Sequence, residues 1–199
     1  MLREEVIRIL ADVCRKNQYL SVATMQATPV WHALDPEAPL HIDMLGCMGS
    51  ASSLGLGMAL GAPDKRVVTV DGDGCVTMQL ATLVTIGEAR ARNYTLIVMN
   101  NGLYETSGNQ PIPGAATADF VALAQASGFR NSTRIDDVDD LRARIATLIE
   151  AEGPNFIALN IDRASACKSW PTLSMRDQIQ AMRRTFGGAH GGSEQSAGA

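Results

Sequence analysis

Residues 67–84, "VVTVDGDGCVTMQLATLV", run an apolar strand into Gly72-Asp73-Gly74, a carboxylate flanked by two glycines. Glycines of this kind let the main chain approach a ligand closely, and the favoured ligand is a phosphate. A carboxylate at that spot repels a phosphate unless a divalent cation lies between them. Downstream, Asn100-Asn101 follows a second apolar run, "YTLIVM" (94–99). Residues 75–99 separate Gly74 from Asn100, room for one helix and one strand, the length of a right-handed crossover. Such a crossover sets the Asn pair beside Asp73 at one edge of a sheet. A hard cation such as magnesium takes about six oxygens. A carboxylate, an Asn amide oxygen, a loop carbonyl, two phosphate oxygens and a water complete that set.

The elements that must position these groups are legible in the periodicity. Leu2, Val6, Ile9, Leu10 and Val13 fall on one face and predict an amphipathic helix over 2–16. A strand over 19–23, a turn-rich stretch with Pro29, Pro36 and Pro39, and a strand over 40–44 follow. Small residues over 49–63 predict a tightly packed helix that stops at Gly61 and Pro63. Further strands are predicted at 66–70, 94–99, near 132–135 and at 155–161. Helices are predicted over 78–91, over 118–127 with Thr117 as its cap, over 139–152, and from Ser174 to about Phe186. Residues 187–199 have nothing to bury and are expected to be disordered, leaving one domain over 1–186 and no internal repeat. Continuous apolar strands alternating with helices predict an α/β fold, a mostly parallel, doubly wound sheet with helices on both faces. Ligands in such sheets bind beyond the carboxyl ends of the strands.

Composition narrows the function classes. The chain has 199 residues, 46% apolar, with a net charge of −4, enough for one soluble domain with a core. That charge gives no reason to expect nucleic acid, and no apolar run is long enough to cross a bilayer. "MLREEVIRIL" carries acids and does not read as a signal peptide. Cys14, Cys47, Cys75 and Cys167 lie far apart, which predicts free thiols in a reducing cytoplasm. His32, His41 and His190 share no metal-ligand spacing, so histidine catalysis is poorly provisioned; His32 and His41 read as structural or surface residues. Asp73-Gly74 as a hairpin turn is disfavoured, because "MQLATLVTIGEARA" reads as helix. Gly55, Gly57 and Gly61 lie within a helix and read as close packing, not as a dinucleotide fingerprint. Trp31 and Trp170 read as packing or interface residues, and Glu105 as either a solvated side chain or a substrate contact.

G-D-G, this gap and N-N together resemble the signature of thiamin diphosphate enzymes. "MLGCMGSASSLGLGMAL" and "NNGLYETSGNQP" are similar to the cofactor-binding half of sulfopyruvate and phosphonopyruvate decarboxylases, a likeness that runs to about residue 186. The resemblance implies the thiamin diphosphate-binding fold, with thiamin diphosphate and Mg2+ as cofactors. It implies that Asp73, Asn101 and the Leu103 main-chain oxygen bind the metal, and that Gly74 and Cys75 offer N–H groups to the diphosphate. Gly46 would accept from the aminopyrimidine, the Met48 N–H would meet a ring nitrogen, and the Met48 side chain would bend the cofactor. Cys47, Gly72, Tyr104, Glu105 and Thr106 would complete the cofactor site, with Ser21 or Thr24 touching the diphosphate. Cys47, Cys75 and Asn109 depart from the usual pattern; the cysteines read as packing residues, and Asn tolerates a positive φ at a loop glycine position.

In this family the glutamate that activates the aminopyrimidine belongs to a separate pyrimidine-binding domain, and no residue here resembles it. Met1 stands almost at the start of the diphosphate-binding domain, so the resemblance implies a beta-type subunit. An alpha-type partner would carry the pyrimidine-binding domain in an α2β2 heteromer. The activity implied is decarboxylation of a small 2-oxo acid, sulfopyruvate- or phosphonopyruvate-like, in the cytoplasm. The alternatives are a carboligase subunit of the acetolactate synthase or benzoylformate decarboxylase type, and a non-catalytic thiamin-binding regulatory subunit.

Overall fold

The computed structural model describes residues 1–36, 38–163, 170 and 174–190, with side chains described to residue 185. Eight strands run in chain order: β1 (Leu20–Thr24), β2 (His41–Met44), β3 (Val67–Gly72), β4 (Tyr94–Asn100), β5 (Leu103–Tyr104), β6 (Gln110–Pro111), β7 (Asn131–Ile135) and β8 (Asn155–Asn160). The helices are α1 (Arg3–Asn17), α2 (Ala27–Leu34), α3 (Ala51–Gly61), α4 (Asp73–Met78), α5 (Thr82–Ala89), α6 (Phe120–Ala126), α7 (Val138–Glu150) and α8 (Met175–His190). Six strands form one parallel sheet in the order β2-β1-β3-β4-β8-β7, and β5 and β6 form a separate antiparallel pair.

Because side chains alternate across a strand, each central strand feeds two cores. Val67, Leu96, Val98, Phe156 and Ala158 pack with α3, α5, α6 and Met182 of α8. Val68, Val70, Ile97, Met99, Ile157 and Leu159 pack with α1, α2 and α7. This is the expected doubly wound sheet. From β1 the chain steps outward to β2, then returns to place β3 on the other side of β1. The direction of winding therefore reverses between β1 and β3, which opens a crevice beyond their carboxyl ends.

Four local expectations are corrected. The turn-rich stretch holds α2, whose Pro29 lies in the first turn, where its missing N–H has no intrahelical partner to lose. The helix expected over 78–91 starts earlier, as α4 at Asp73, breaks, and resumes as α5. Asp119, not Thr117, caps α6, its carboxylate accepting from the Val121 and Ala122 N–H groups. Helix α8 runs to His190, past the expected end at Phe186. Cys167 and residues 191–199 lie outside the described residues.

The glycines of α3 differ sharply in what surrounds them. A Cβ at Gly55 would lie 1.9 Å from Thr69 Oγ1 and 2.9 Å from the Tyr94 ring, whereas one at Gly57 would meet nothing within 4 Å. Gly55 is thus what lets α3 lie directly on β3 and β4, in keeping with the close-packing reading. Gly55→Ala is expected to destabilise the fold by about 1–3 kcal/mol through overpacking. Gly57→Ala is expected to be neutral or to stabilise by about 0.5–1 kcal/mol through helix propensity. Denaturant unfolding of both variants checks the contrast.

Candidate cofactor site

Strand β3 ends at Gly72, and α4 begins at once on Asp73, so the helix N-terminus opens into the crevice. The Asp73 side chain turns inward and is 2% exposed. Its Oδ1 accepts from the Gly74 N–H at 2.7 Å; its Oδ2 accepts from the N–H groups of Asn101 at 3.0 Å and Gly102 at 2.6 Å. Burial pushes its pKa above the usual carboxylate range, against the pull of these three donors. Asp71, fully buried beneath it, accepts from Ser52 Oγ at 2.8 Å and the Gly72 N–H at 2.9 Å; burial pushes its pKa up to about 6.

The neighbouring strand delivers the second half. Asn100 is the last residue of β4, and its amide donates sideways to Asn160 on β8, at 2.9 Å. Asn101 is the residue that turns into the site, and its Oδ1 accepts from the Leu103 N–H at 2.9 Å. Gly102 at φ 75° reverses the chain, and β5 and β6 return it through a turn that begins at Glu105. Asn109 adopts φ 61°, the positive φ expected of it. Tyr104 packs against α4: a Cβ at Gly74 would come within 2.6 Å of its ring, so only glycine fits there. Glu105 is not solvated. It is buried and paired with Arg3, Nη1 to Oε2 at 2.5 Å.

Met48, Gly72, Asp73, Gly74, Cys75, Asn101, Leu103, Tyr104, Glu105 and Thr106 all line one notch of about 50 Å³. Gly46 and Cys47 do not; both are exposed, Gly46 at φ 73°. Thr24 lines the notch, whereas Ser21 points into a different cavity. Arg3, Met25, Gln26, Met99 and Ile161 also line it and escaped the sequence reading. One signal for Arg3 was available: a cation in the first turn of a helix opposes the macrodipole, while Glu4 and Glu5 beside it suit it. Met25, at φ 49°, holds a left-handed conformation unusual for its type. The Cys75 thiol is buried and its pKa is strongly raised by desolvation, which keeps it protonated and fits packing over redox chemistry.

The donor set fits a small divalent cation carrying a phosphate. Asp73, Asn101 and the Leu103 carbonyl could supply hard oxygens, and among the described residues no cluster of three His, Cys, Asp or Glu offers a competing metal site. A Cβ at Gly72 would meet nothing within 4 Å, so this glycine leaves main chain bare toward the notch. At roughly 30 Å³ per water, a notch of about 50 Å³ takes one or two water-sized groups, such as a cation and one oxygen ligand. The rest of any cofactor has to lie across its mouth.

A larger cavity, about 430 Å³, lies between α1, α2 and β2. There Ser21 Oγ is 2.8 Å from His41 Nδ1, and His41 Nε2 is 3.0 Å from Asp43 Oδ1. The order is that of a nucleophile relay, but the Ser21 N–H is spent on Leu40 O and cannot serve an oxyanion. The network instead clamps α8 to the edge strand: the Asp43 N–H donates to Gln178 Oε1, and Gln178 Nε2 donates back to Asp43 Oδ2, both at 2.8 Å. Trp31 stacks on His41 at 4.5 Å. His41 is thus structural, as expected, and His32 approaches the same carboxylate, 3.3 Å from Asp43 Oδ2. Burial lowers the His41 pKa, so the ring is neutral, donating from Nε2 to Asp43 and accepting at Nδ1 from Ser21. Burial alone would raise Asp43, but its bonds to His41 and Gln178 outweigh that and hold it below the usual range.

Comparison with known proteins follows the same lines. A family profile described as "Thiamine pyrophosphate enzyme, C-terminal TPP binding domain" matches residues 21–159. Phosphonopyruvate decarboxylase of Streptomyces viridochromogenes is 36% identical over 77% of this chain, which spans 38% of that protein's length. Sulfopyruvate decarboxylase subunit beta of Methanocaldococcus jannaschii is 34% identical over 63% of this chain, which spans 65% of it. An enzyme from Mycobacterium smegmatis, assigned as thiamin diphosphate-dependent, superposes with a TM-score of 0.66 at 21% identity, covering 82% of this chain and 32% of that one. That last likeness speaks to the fold.

The His41 network carries a pH signature. A histidine whose folded pKa lies below its unfolded value of about 6.5 contributes its full stability above pH 6.5 and loses it as the pH falls toward the folded value. Asp71 has the opposite sign, since its raised pKa lets the fold gain stability as it protonates near pH 6. The melting temperature of wild type minus that of His41→Gln isolates the histidine. This difference is expected to be constant between about pH 7 and 8 and to shrink steadily below about pH 6.5.

Proposed function

This chain belongs to the thiamine pyrophosphate enzymes, and from that premise we propose that it is the beta-type subunit of a two-polypeptide 2-oxo acid decarboxylase. The cofactors would be thiamin diphosphate and magnesium, and the substrate sulfopyruvate- or phosphonopyruvate-like. The observation that carries this reading is the convergence of Asp73, Asn101 and Leu103 on one notch at the carboxyl ends of β3 and β4. Asp73, Asn101 Oδ1 and the Leu103 carbonyl would hold the metal. The Gly74 and Cys75 N–H groups, at the start of α4, would face the diphosphate. Gly46 and Met48 would take the pyrimidine edge, with the Met48 side chain bending the cofactor. Bound thiamin diphosphate supplies a nucleophilic thiazolium carbon and an electron sink for the bond to carbon dioxide.

The partner is argued from the carboxylates. Glu105 is the one glutamate that lines the notch among the described residues, and it is committed to Arg3. A carboxylate to support the aminopyrimidine would therefore come from an alpha-type subunit, in keeping with the beta-subunit name of the Methanocaldococcus relative. Met78 at the last position of α4, Leu80 after it and Val84 in α5 are exposed apolar side chains suited to such an interface. An α2β2 assembly would form two equivalent sites about a two-fold axis. Cys14, Cys47 and Cys75 are free thiols, which suits the cytoplasm, and no helix among the described residues is long and apolar enough to cross a membrane.

The metal reading is tested by Asp73→Asn, which keeps the side-chain volume and one acceptor oxygen. Calorimetric titration of thiamin diphosphate is expected to show the magnesium-dependent gain in affinity reduced by at least about tenfold, or 1.4 kcal/mol. An unchanged gain sinks the assignment of Asp73. The subunit reading is tested by carbon dioxide release from a panel of 2-oxo acids with saturating cofactor and magnesium. The chain alone is expected to be inactive, and the alpha-type partner to restore turnover with an aldehyde product. Robust turnover by the chain alone rules out a split enzyme, and an acyloin product points to the carboligase reading.

A further inference from the structure

Strands β4 and β8 are buried along their length until the last residue, and there each carries an asparagine, Asn100 and Asn160, paired in register. Asparagine is disfavoured in strands, so two facing each other call for a local cause. Their side chains are bonded to each other, Asn100 Nδ2 to Asn160 Oδ1 at 2.9 Å, and Asn160 Nδ2 donates on to Asp136 Oδ1 at 2.6 Å. Asp136 follows directly after β7, whose Ile135 lies beside Leu159. One row of hydrogen bonds thus crosses the carboxyl ends of β4, β8 and β7.

The row has a direction. A carboxylate only accepts, so Asp136 takes the Asn160 amide N–H and leaves Oδ1 to face β4. Asn100 must then present its own amide N–H. Leucine at 160 could serve neither neighbour, and aspartate could not donate to Asp136. The end of β8 also holds Asn100 by its main chain: the Ile161 N–H donates to the Asn100 carbonyl at 3.0 Å. Asn100 is thus fixed at side chain and carbonyl alike. The next two N–H groups along the chain, those of Asn101 and Gly102, are the ones that reach Asp73 Oδ2.

We propose that Asn160 is a positioning residue of the cofactor site: through Asn100 it fixes the angle at which the 101–104 loop leaves β4, and so keeps Asn101 and Leu103 on the notch. Asp136 sets the polarity of the row. Asn100, Asn160 and Asp136 do not themselves line the notch, so their effect passes through the backbone of the loop. The role at the site rests on the reading of the notch as a diphosphate–metal site; the hold on the loop does not.

Amide hydrogen exchange of the apoprotein, followed by NMR, reads the loop directly by comparing Gly102 with Leu96, a buried residue within β4. Asn160→Leu is expected to speed Gly102 exchange about tenfold relative to Leu96. Asn160→Asp, which sets a second carboxylate against Asp136, is expected to do the same and serves if Asn160→Leu does not fold. Asn160→Asp combined with Asp136→Asn, which moves the donor to position 136, is expected to return the ratio to within about twofold of wild type. Calorimetric titration of thiamin diphosphate should follow the same pattern, the magnesium-dependent gain in affinity falling about tenfold in each single variant at 160 and recovering in the double variant. Unchanged relative exchange at Gly102, an unchanged gain in affinity, or a double variant no better than Asn160→Asp overturns the proposal while the cofactor reading stands. A wild-type chain that binds no thiamin diphosphate with magnesium overturns the cofactor reading and the role at that site, and exchange then still decides the hold on the loop.

Discussion

Everything in the site hangs on one buried carboxylate. Asp73 accepts three main-chain N–H groups, one from its own helix and two from the loop after the neighbouring strand. Hydrogen bonds to a charged group contribute roughly 1.5–3 kcal/mol each, enough to offset much of the cost of burying the charge. The same three bonds close the loop onto α4. A residue that could bind a cation is therefore also the one that shapes its own binding site. The arrangement is possible because β3 and β4 are adjacent and in register, Gly72 beside Met99, so that the two strand ends stop at the same height.

Around this carboxylate the fold distributes charge with care. Asp71 lies two residues away, in a fully buried position where burial pushes its acid up to about 6. Glu105 brings a third carboxylate, and Arg3 answers it. In a low-dielectric notch each uncompensated charge would act strongly on its neighbours. The proposed anionic cofactor would meet main-chain donors at the start of α4 and a place for a metal.

The second polar network shows the same physics serving architecture. Asp43 sits on the edge strand β2, where an open strand would otherwise invite unwanted pairing. Its reciprocal bonds with Gln178 bring α8 onto that edge, and apolar contacts of Met182, Ile179 and Met175 complete the cover. The larger cavity beside it is lined by residues of α1 and α2 and by the stacked pair Trp31 and His41.

What the sequence determined by itself was local in origin. The parallel sheet was legible because strands buried on both faces read as continuous apolar runs. Asp73 and Asn101 were legible because a strand–helix–strand unit has a nearly fixed length, so their spacing already implied neighbouring strand ends. Gly55 was legible as packing from its helical context, and Asn109 from its tolerance of positive φ. Caps were less so: Thr117 and Asp119 are two residues apart and both capable, and only the turn at Gly114 decided for Asp119. Arg3 could not be paired with Glu105, nor Asp43 with Gln178, because no local period encodes a contact across more than a hundred residues. Ser21 and Thr24 were inseparable until the pleat sent one toward His41 and the other to the notch. Strand order brings those partners together, and strand order is a property of how whole layers pack, which only the tertiary structure decides.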